Sequence, residues 1–304
     1  MKSRSILVLV LVLTVVGGLA WWLHDRTSPK LGREAYEQTA AILAKGPRPP
    51  GSEALSAVRA HVRAELEKAG WVVESQPFER MTPVGKINFE NLRARFPNGA
   101  GDPWKRQVAG LLCAHIDSKL YKDQYFLGAD DAASACAAIV VIAEFMAREK
   151  PEQAARMELV FFDGEEAFGE NITPQDGLYG SRHYASQWRS RDDKPAFGIL
   201  LDMIGHENLS IRLPSDTPAQ LKDAVLAAAK AEGAENHFGM APGPIIDDHV
   251  PLNFAGIPTV DIIGDFSRSG WWHKPADNMK IISADSLDIS IHVTLRVLDE
   301  RLGN

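Results

Sequence analysis

The sequence predicts an α/β fold: a three-layer sandwich with a mixed, mostly parallel central sheet and helices on both faces, preceded by a single transmembrane helix. Three observations predict it. Short runs of β-branched, aliphatic and aromatic residues recur at 107–114, 158–162, 197–204 and 258–263, and unbroken apolar runs of that length mark strands covered on both faces. Between them lie helix-length stretches, an alternation that builds parallel sheets. From Ser5 to Leu23 the chain carries no charge, enough to cross a bilayer as a helix.

The apolar segment comes first. Lys2 and Arg4 precede it and Trp21-Trp22 close it, so the positive-inside rule places the remainder on the non-cytoplasmic side, in a periplasm or secretory lumen. A cleavage site would show small residues, whereas bulky tryptophans follow Gly18-Leu19-Ala20, which favours an uncleaved anchor; cleavage would make the protein secreted. The predicted organisation is an anchor at 1–24, a linker at 25–32 and one domain at 33–304. At 304 residues and 45% hydrophobic, the chain has material for a full core.

Residues 33–45 read as a helix that Gly46-Pro47-Arg48-Pro49-Pro50-Gly51 breaks, and Ser52 can cap the next, which runs to about 69 with Leu55, Val58, Val62 and Leu66 on one face. Residues 71–78 and 89–96 read as strands, and Pro77 puts the first of them at an edge. The run 107–114 ends in His115-Ile116-Asp117, a spacing that lets an acid orient an imidazole toward a metal. Gly128-Ala129-Asp130-Asp131 opens an alanine-rich, buried helix to about 148.

The next strand, 158–162, delivers Asp163-Gly164-Glu165-Glu166 at its carboxyl end, where open α/β sheets place their chemistry. Adjacent buried acids are tolerated only when a cation neutralises one or a proton the other. A division between metal ligand and proton shuttle satisfies that demand. A helix at 179–189 follows, then strand 197–204 carrying Asp202, a surface helix at 217–232, and Asp247-Asp248-His249 before a short helix. Strand 258–263 leads to a loop whose Phe266, Trp271, Trp272 and His273 are expected to line a pocket rather than face water. Residues 283–302 close the chain as an amphipathic helix.

His115, Asp131, Glu166, Asp202 and His273 offer nitrogen and carboxylate donors without thiolate, a set suited to catalytic Zn²⁺. With 40 acids against 33 Lys plus Arg, the net charge of −7 argues against nucleic acid as a partner.

The combination of Ala114-His115-Ile116-Asp117-Ser118-Lys119, Gly128-Ala129-Asp130-Asp131, Phe161-Phe162-Asp163-Gly164-Glu165-Glu166-Ala167-Phe168, Leu178-Tyr179-Gly180-Ser181-Arg182-His183, Leu200-Leu201-Asp202-Met203-Ile204-Gly205 and Asp247-Asp248-His249 closely resembles the animal-type glutaminyl cyclases. These are glutaminyl-peptide cyclotransferases on the fold of zinc-dependent aminopeptidases. The resemblance implies one zinc on Asp131, Glu166 and His273, with Glu165 as general base and acid. It implies further that Asp202 and Asp247 are buried acids hydrogen-bonded to Glu165, that Trp272 and Phe266 wall the substrate pocket, and that peptides or proteins with amino-terminal glutamine are the partners. His115 and Asp117 are then support for the site, or part of a second metal site.

The chain departs from that family in three places. Gly169-Glu170-Asn171-Ile172-Thr173 lacks the tryptophan that shapes one wall of the animal pocket, and Asp261 stands where those enzymes carry histidine. The two cysteines could form one disulfide outside the cytosol, and Cys136 matches a family cysteine, but Cys113 lies one residue before its partner's position; such an offset turns a strand side chain to the opposite face, so the pairing is left open. Two other classes fit the same residues less well. A two-zinc aminopeptidase would use His115 and Asp202 for a second ion bridged by Asp131, and a non-catalytic binding module would be expected to have lost ligands that are all present here.

Overall fold

The computed structural model describes residues 31–99, 101–268 and 270–303. The anchor predicted at 1–24, and the linker as far as 30, lie outside them. Among the described residues no helix is long and apolar enough to cross a membrane.

Helix α1, Leu31–Leu43, begins two residues before its predicted start, so Leu31 and Gly32 belong to the folded unit and not to a linker. Gly32 is fixed there: its N–H donates to Asp288 Oδ1 at 2.8 Å. Helix α2, Glu53–Lys68, is capped as its sequence predicts, the Ser52 hydroxyl accepting from Leu55 N at 3.1 Å. Strands β1 (Val72–Thr82) and β2 (Gly85–Arg95) form a long antiparallel hairpin, longer than the apolar pattern indicates because backbone pairing continues through the polar residues at the turn.

The core strands are β3 (Gly110–His115), β4 (Met157–Phe162), β5 (Phe197–Asp202) and β8 (Thr259–Ile263). The six-stranded sheet runs β1-β2-β4-β3-β5-β8, with β1 at the edge as Pro77 requires. β2 meets β4 antiparallel, whereas β4, β3, β5 and β8 are mutually parallel. Their carboxyl ends therefore share one rim. Two three-residue strands, β6 (Ile211–Leu213) and β7 (Phe238–Met240), form a separate parallel pair that the sequence pattern does not reveal, being too short to carry a period.

Alternation along β3 assigns the two faces. Leu112 and Ala114 join one cluster with Ile139 and Ile142 of helix α3 (Ala135–Glu149) and with Leu287 and Ile291 of the last helix. Leu111 and Cys113 join another with Tyr184 and Ala185 of α4 (Tyr179–Ser186) and Leu252 of α6 (His249–Phe254). Helices thus cover both faces. Helix α5, Ala219–Ala231, is not simply a surface helix, since Leu221, Val225 and Ala228 are buried, and it packs on the terminal helix α7, Ala284–Leu302. Cys113 and Cys136 are both free and buried, on opposite sides of the sheet.

Candidate metal and catalytic site

Each parallel strand delivers one part of the site at the common rim. β3 ends in His115, and the following loop turns back so that both Asp117 carboxylate oxygens accept the backbone N–H groups of Glu165 and Glu166, at 3.2 and 3.4 Å. A buried carboxylate held by two amides fixes the loop carrying the acid pair. Gly164 makes that loop possible: its φ is +76°, and a Cβ there would lie 2.4 Å from the Phe89 ring.

Asp131 does not open a regular helix, as the sequence predicts, but sits in an irregular turn, Ala129–Ser134, ahead of α3. Gly128 enters the turn at φ +57°, where a Cβ would lie 2.1 Å from Asp131 O. Asp277, from the loop before α7, accepts the N–H groups of Asp130 and Asp131 at 2.8 and 3.3 Å. With its backbone donors satisfied, the Asp131 carboxylate faces the cleft.

Asp131, Glu166 and His273 each present one donor atom within 4.8 Å of the others. His273 Nε2 lies 3.5 Å from Asp131 Oδ2 and 3.4 Å from Glu166 Oε2. Glu166 Oε1 is buried without a hydrogen-bond partner, as are both ring nitrogens of His115 and Asp202 Oδ1. Two carboxylates and an imidazole fit zinc. A second trio, His115, Asp131 and Asp202, meets the same distance condition and shares Asp131 with the first. In it His115 Nε2 stands 3.2 Å from Asp131 Oδ1 and 3.5 Å from Asp202 Oδ1, while Nδ1 faces Asp117 Oδ1 at 3.5 Å. Although burial opposes it, the facing carboxylates of Asp117, Asp131 and Asp202 raise His115 well above the usual imidazole range.

Glu165, Asp202 and Asp247 line one cavity of about 300 Å³ together with the first trio, Phe266 and Trp272. Burial, opposed by His115 and reinforced by Glu166, Asp247 and Asp248, pushes the Glu165 carboxyl well above the carboxylate range. A carboxyl with its proton affinity raised in this way is suited to accept a proton and return it. Trp272 stacks on His273 with ring centroids 4.0 Å apart and meets Phe266 in a tilted contact at 4.8 Å, and all three line the cavity. Trp271 instead turns inward against His206. His273 and Met203, both in the cavity wall, have left-handed backbones at φ +56° and +50°, a costly conformation that collects at functional sites.

The residues that motif reading passes over are supports. Arg48, seen in the sequence only as part of a helix break, is wholly buried. Its guanidinium donates to the carbonyls of Ile116, Leu127 and Gly128, tying the proline-rich loop to both segments that carry His115 and Asp131. Lys119 donates to Ala167 O at 2.8 Å and stands 3.5 Å from Glu166 Oε2. Behind Asp247, His249 Nδ1 lies 3.4 Å from Asp261 Oδ2, and these three residues form a further buried nitrogen and carboxylate group. Asp261, which stands where the animal enzymes carry histidine, thus faces His249.

The sequence pattern of Peptidase family M28 matches residues 91–298, and the chain belongs to that family. Several similar proteins bear the name glutaminyl-peptide cyclotransferase. A glutaminyl-peptide cyclotransferase-like protein of Mus musculus is 32% identical over 259 residues, 76% of this chain and 66% of that one. The glutaminyl-peptide cyclotransferase of Drosophila melanogaster is 30% identical over 268 residues, 80% of this chain and 73% of the relative. Among solved structures, a glutaminyl cyclase of Porphyromonas gingivalis superposes with a TM-score of 0.78 at 29% identity, covering 88% of this chain and 98% of that one. A Zn-dependent exopeptidase of Parabacteroides distasonis has a TM-score of 0.78 at 27% identity, covering 90% and 98%.

Proposed function

We propose that this chain is a zinc-dependent glutaminyl-peptide cyclotransferase, converting amino-terminal glutamine of peptides or proteins to pyroglutamate with release of ammonia. The observation that carries the reading is the meeting, in one cavity, of the Asp131, Glu166 and His273 trio with the adjacent buried Glu165 and the Phe266–Trp272 wall. The named cyclotransferase relatives and cyclase structures support it.

In this mechanism Asp131, Glu166 and His273 hold zinc, which when bound supplies a Lewis acid for the glutamine γ-amide carbonyl. Trp272 and Phe266 hold the glutamine side chain so that its own α-amine reaches the γ-carbon, and fixing that folded conformer is worth several kcal/mol in an intramolecular attack. Glu165 takes a proton from the amine as the new C–N bond forms. It then returns a proton to the departing amide nitrogen as the old C–N bond breaks, releasing ammonia. Asp117 holds the Glu165 backbone in place, and burial together with Glu166, Asp247 and Asp248 keeps the base's proton affinity high.

The His115, Asp131 and Asp202 trio favours one alternative, a two-zinc aminopeptidase that releases amino-terminal residues. Incubation with a glutamine-initiated peptide separates the two: stoichiometric ammonia with an intact chain supports cyclisation, while free amino-terminal residue contradicts it. We also propose that the apolar segment before residue 24 anchors the enzyme with its catalytic unit on the non-cytoplasmic side. Recovery of the full chain in the soluble fraction, unprocessed, would overturn that placement.

A further inference from the structure

A second cavity, of about 230 Å³, lies where β3 and β4 begin, at the end of the sheet opposite the catalytic rim. Val108 lines it, and two further lining residues, Arg93 and Arg95, both reach Glu158, the second residue of β4. It shares no lining residue with the catalytic cavity. The chain carries a net charge of −7, yet this wall is basic: Arg93, Arg95, Lys105, Arg106 and Arg191 stand against Glu74 and Asp193. With buried Glu158 counted, five cations face three acids, and two positive charges are left over.

The acids are unevenly spent. Glu158 Oε1 accepts from Arg93 Nε at 2.6 Å and Oε2 from Arg95 Nε at 2.8 Å, so two guanidiniums share one carboxylate. Arg191 is paired with Asp193. Lys105 and Arg106 form no ion pair among the described residues. Arg106 donates to a neutral group, the Phe96 carbonyl, at 2.7 Å, and its Nε is buried without a partner, as is Trp104 Nε1. Buried donors left open in a basic cavity call for an acceptor.

The donors are held in place. Arg95 Nη1 donates to the carbonyls of Pro103, Trp104 and Arg106 at 3.1, 3.2 and 2.7 Å, and Asp102 Oδ1 accepts from Trp104 N at 3.0 Å. These bonds pin the turn that presents Lys105 and Arg106. Arg93 and Arg95 lie over the Trp104 ring at 4.9 and 5.1 Å, and Arg191 over Trp188 at 4.5 Å. With cations already on the indoles, the cavity offers charge and N–H groups more than a stacking platform.

We propose that this cavity binds a small oxyanion of the phosphate class. Phosphate carries roughly two negative charges at neutral pH, which matches the excess, whereas a carboxylate would leave one cation unmatched. Its oxygens accept from the Arg106 guanidinium, the Lys105 ammonium and the Trp104 indole.

The test is calorimetric titration of the full chain, as purified, with inorganic phosphate at an ionic strength held fixed with chloride. One saturable site per chain is expected, with affinity falling about tenfold in Lys105→Ala and in Arg106→Ala and binding lost in Lys105→Glu. Lys105 is exposed, so its replacement leaves the fold intact, and an unchanged unfolding temperature in chloride checks this. Glycerol phosphate separates the sources: binding as tight as that of inorganic phosphate assigns the site to a phosphate monoester, and binding of inorganic phosphate alone assigns it to the free ion. Saturating phosphate should also raise the unfolding temperature of wild type by several degrees and leave that of Lys105→Glu unmoved. Absence of saturable binding overturns the proposal. So does binding that all three substitutions leave unchanged, which places the ion elsewhere, or an unfolding temperature that climbs without limit and equally in the variants, as general exclusion of salt from the surface produces.

Discussion

At the scale of single residues, two neighbouring glutamates differ in surroundings enough to divide the work. Glu166 lies against His273 and Lys119, both cationic or metal-facing partners, while Glu165 is hemmed in by burial and by Glu166, Asp247 and Asp248, with His115 the opposing influence. Asp117 holds both from behind, so Asp117→Ala is expected to leave two buried N–H groups without an acceptor. At ~1–3 kcal/mol for each orphaned donor, kcat should fall at least tenfold and thermal unfolding should shift down, with Asp117→Asn intermediate in both. Retention of full kcat in the alanine variant would show that the loop does not need this carboxylate. The donor set itself was legible from residue type and strand-end position. Arg48 was not: a guanidinium spent on three backbone carbonyls leaves no pattern in sequence, because its partners are peptide groups whose identity no side chain encodes.

At the scale of elements, the strand ends do the positioning and glycines allow the turns that follow them. Gly164→Ala forces a side chain toward Phe89 in a backbone region that alanine avoids. Its expected effect is a loss of roughly 1–3 kcal/mol of stability together with displacement of the Glu165-Glu166 loop, checked by denaturant unfolding and by zinc content. A stability equal to wild type would show that the turn relaxes without cost. Core strands and long helices were readable because burial imposes an unbroken apolar run or a helical period. What escaped was local geometry set by tertiary contact. The turn Ala129–Ser134 reads as helix from its alanines, yet Asp277 and Arg48 pull its backbone groups into another path. β6 and β7 are too short for periodicity to register.

At the scale of the whole molecule, the proposed ion joins segments far apart in the chain: the turn before α3, the loop after β4 and the loop before α7. Chelation is therefore expected to lower the unfolding temperature by several degrees as well as abolish turnover, and added zinc to restore both. Loss of activity with an unchanged unfolding temperature would mean the ion contributes nothing to holding the rim together. Cys113 and Cys136 sit on opposite sides of the sheet, and thiol titration should find two free thiols on unfolding and almost none in the native state. The one-residue offset in the sequence accounts for that separation, because it turns the Cys113 side chain to the other face of its strand.

The division of roles between Glu165 and its neighbour is tested most directly by measuring zinc content and glutamine cyclisation on the same preparations of wild type and Glu165→Gln. The expected result is a zinc-to-protein ratio unchanged by the substitution and turnover reduced by roughly 10²–10⁴-fold or more. Loss of zinc in parallel with activity, or turnover that survives without the carboxylate, would contradict it.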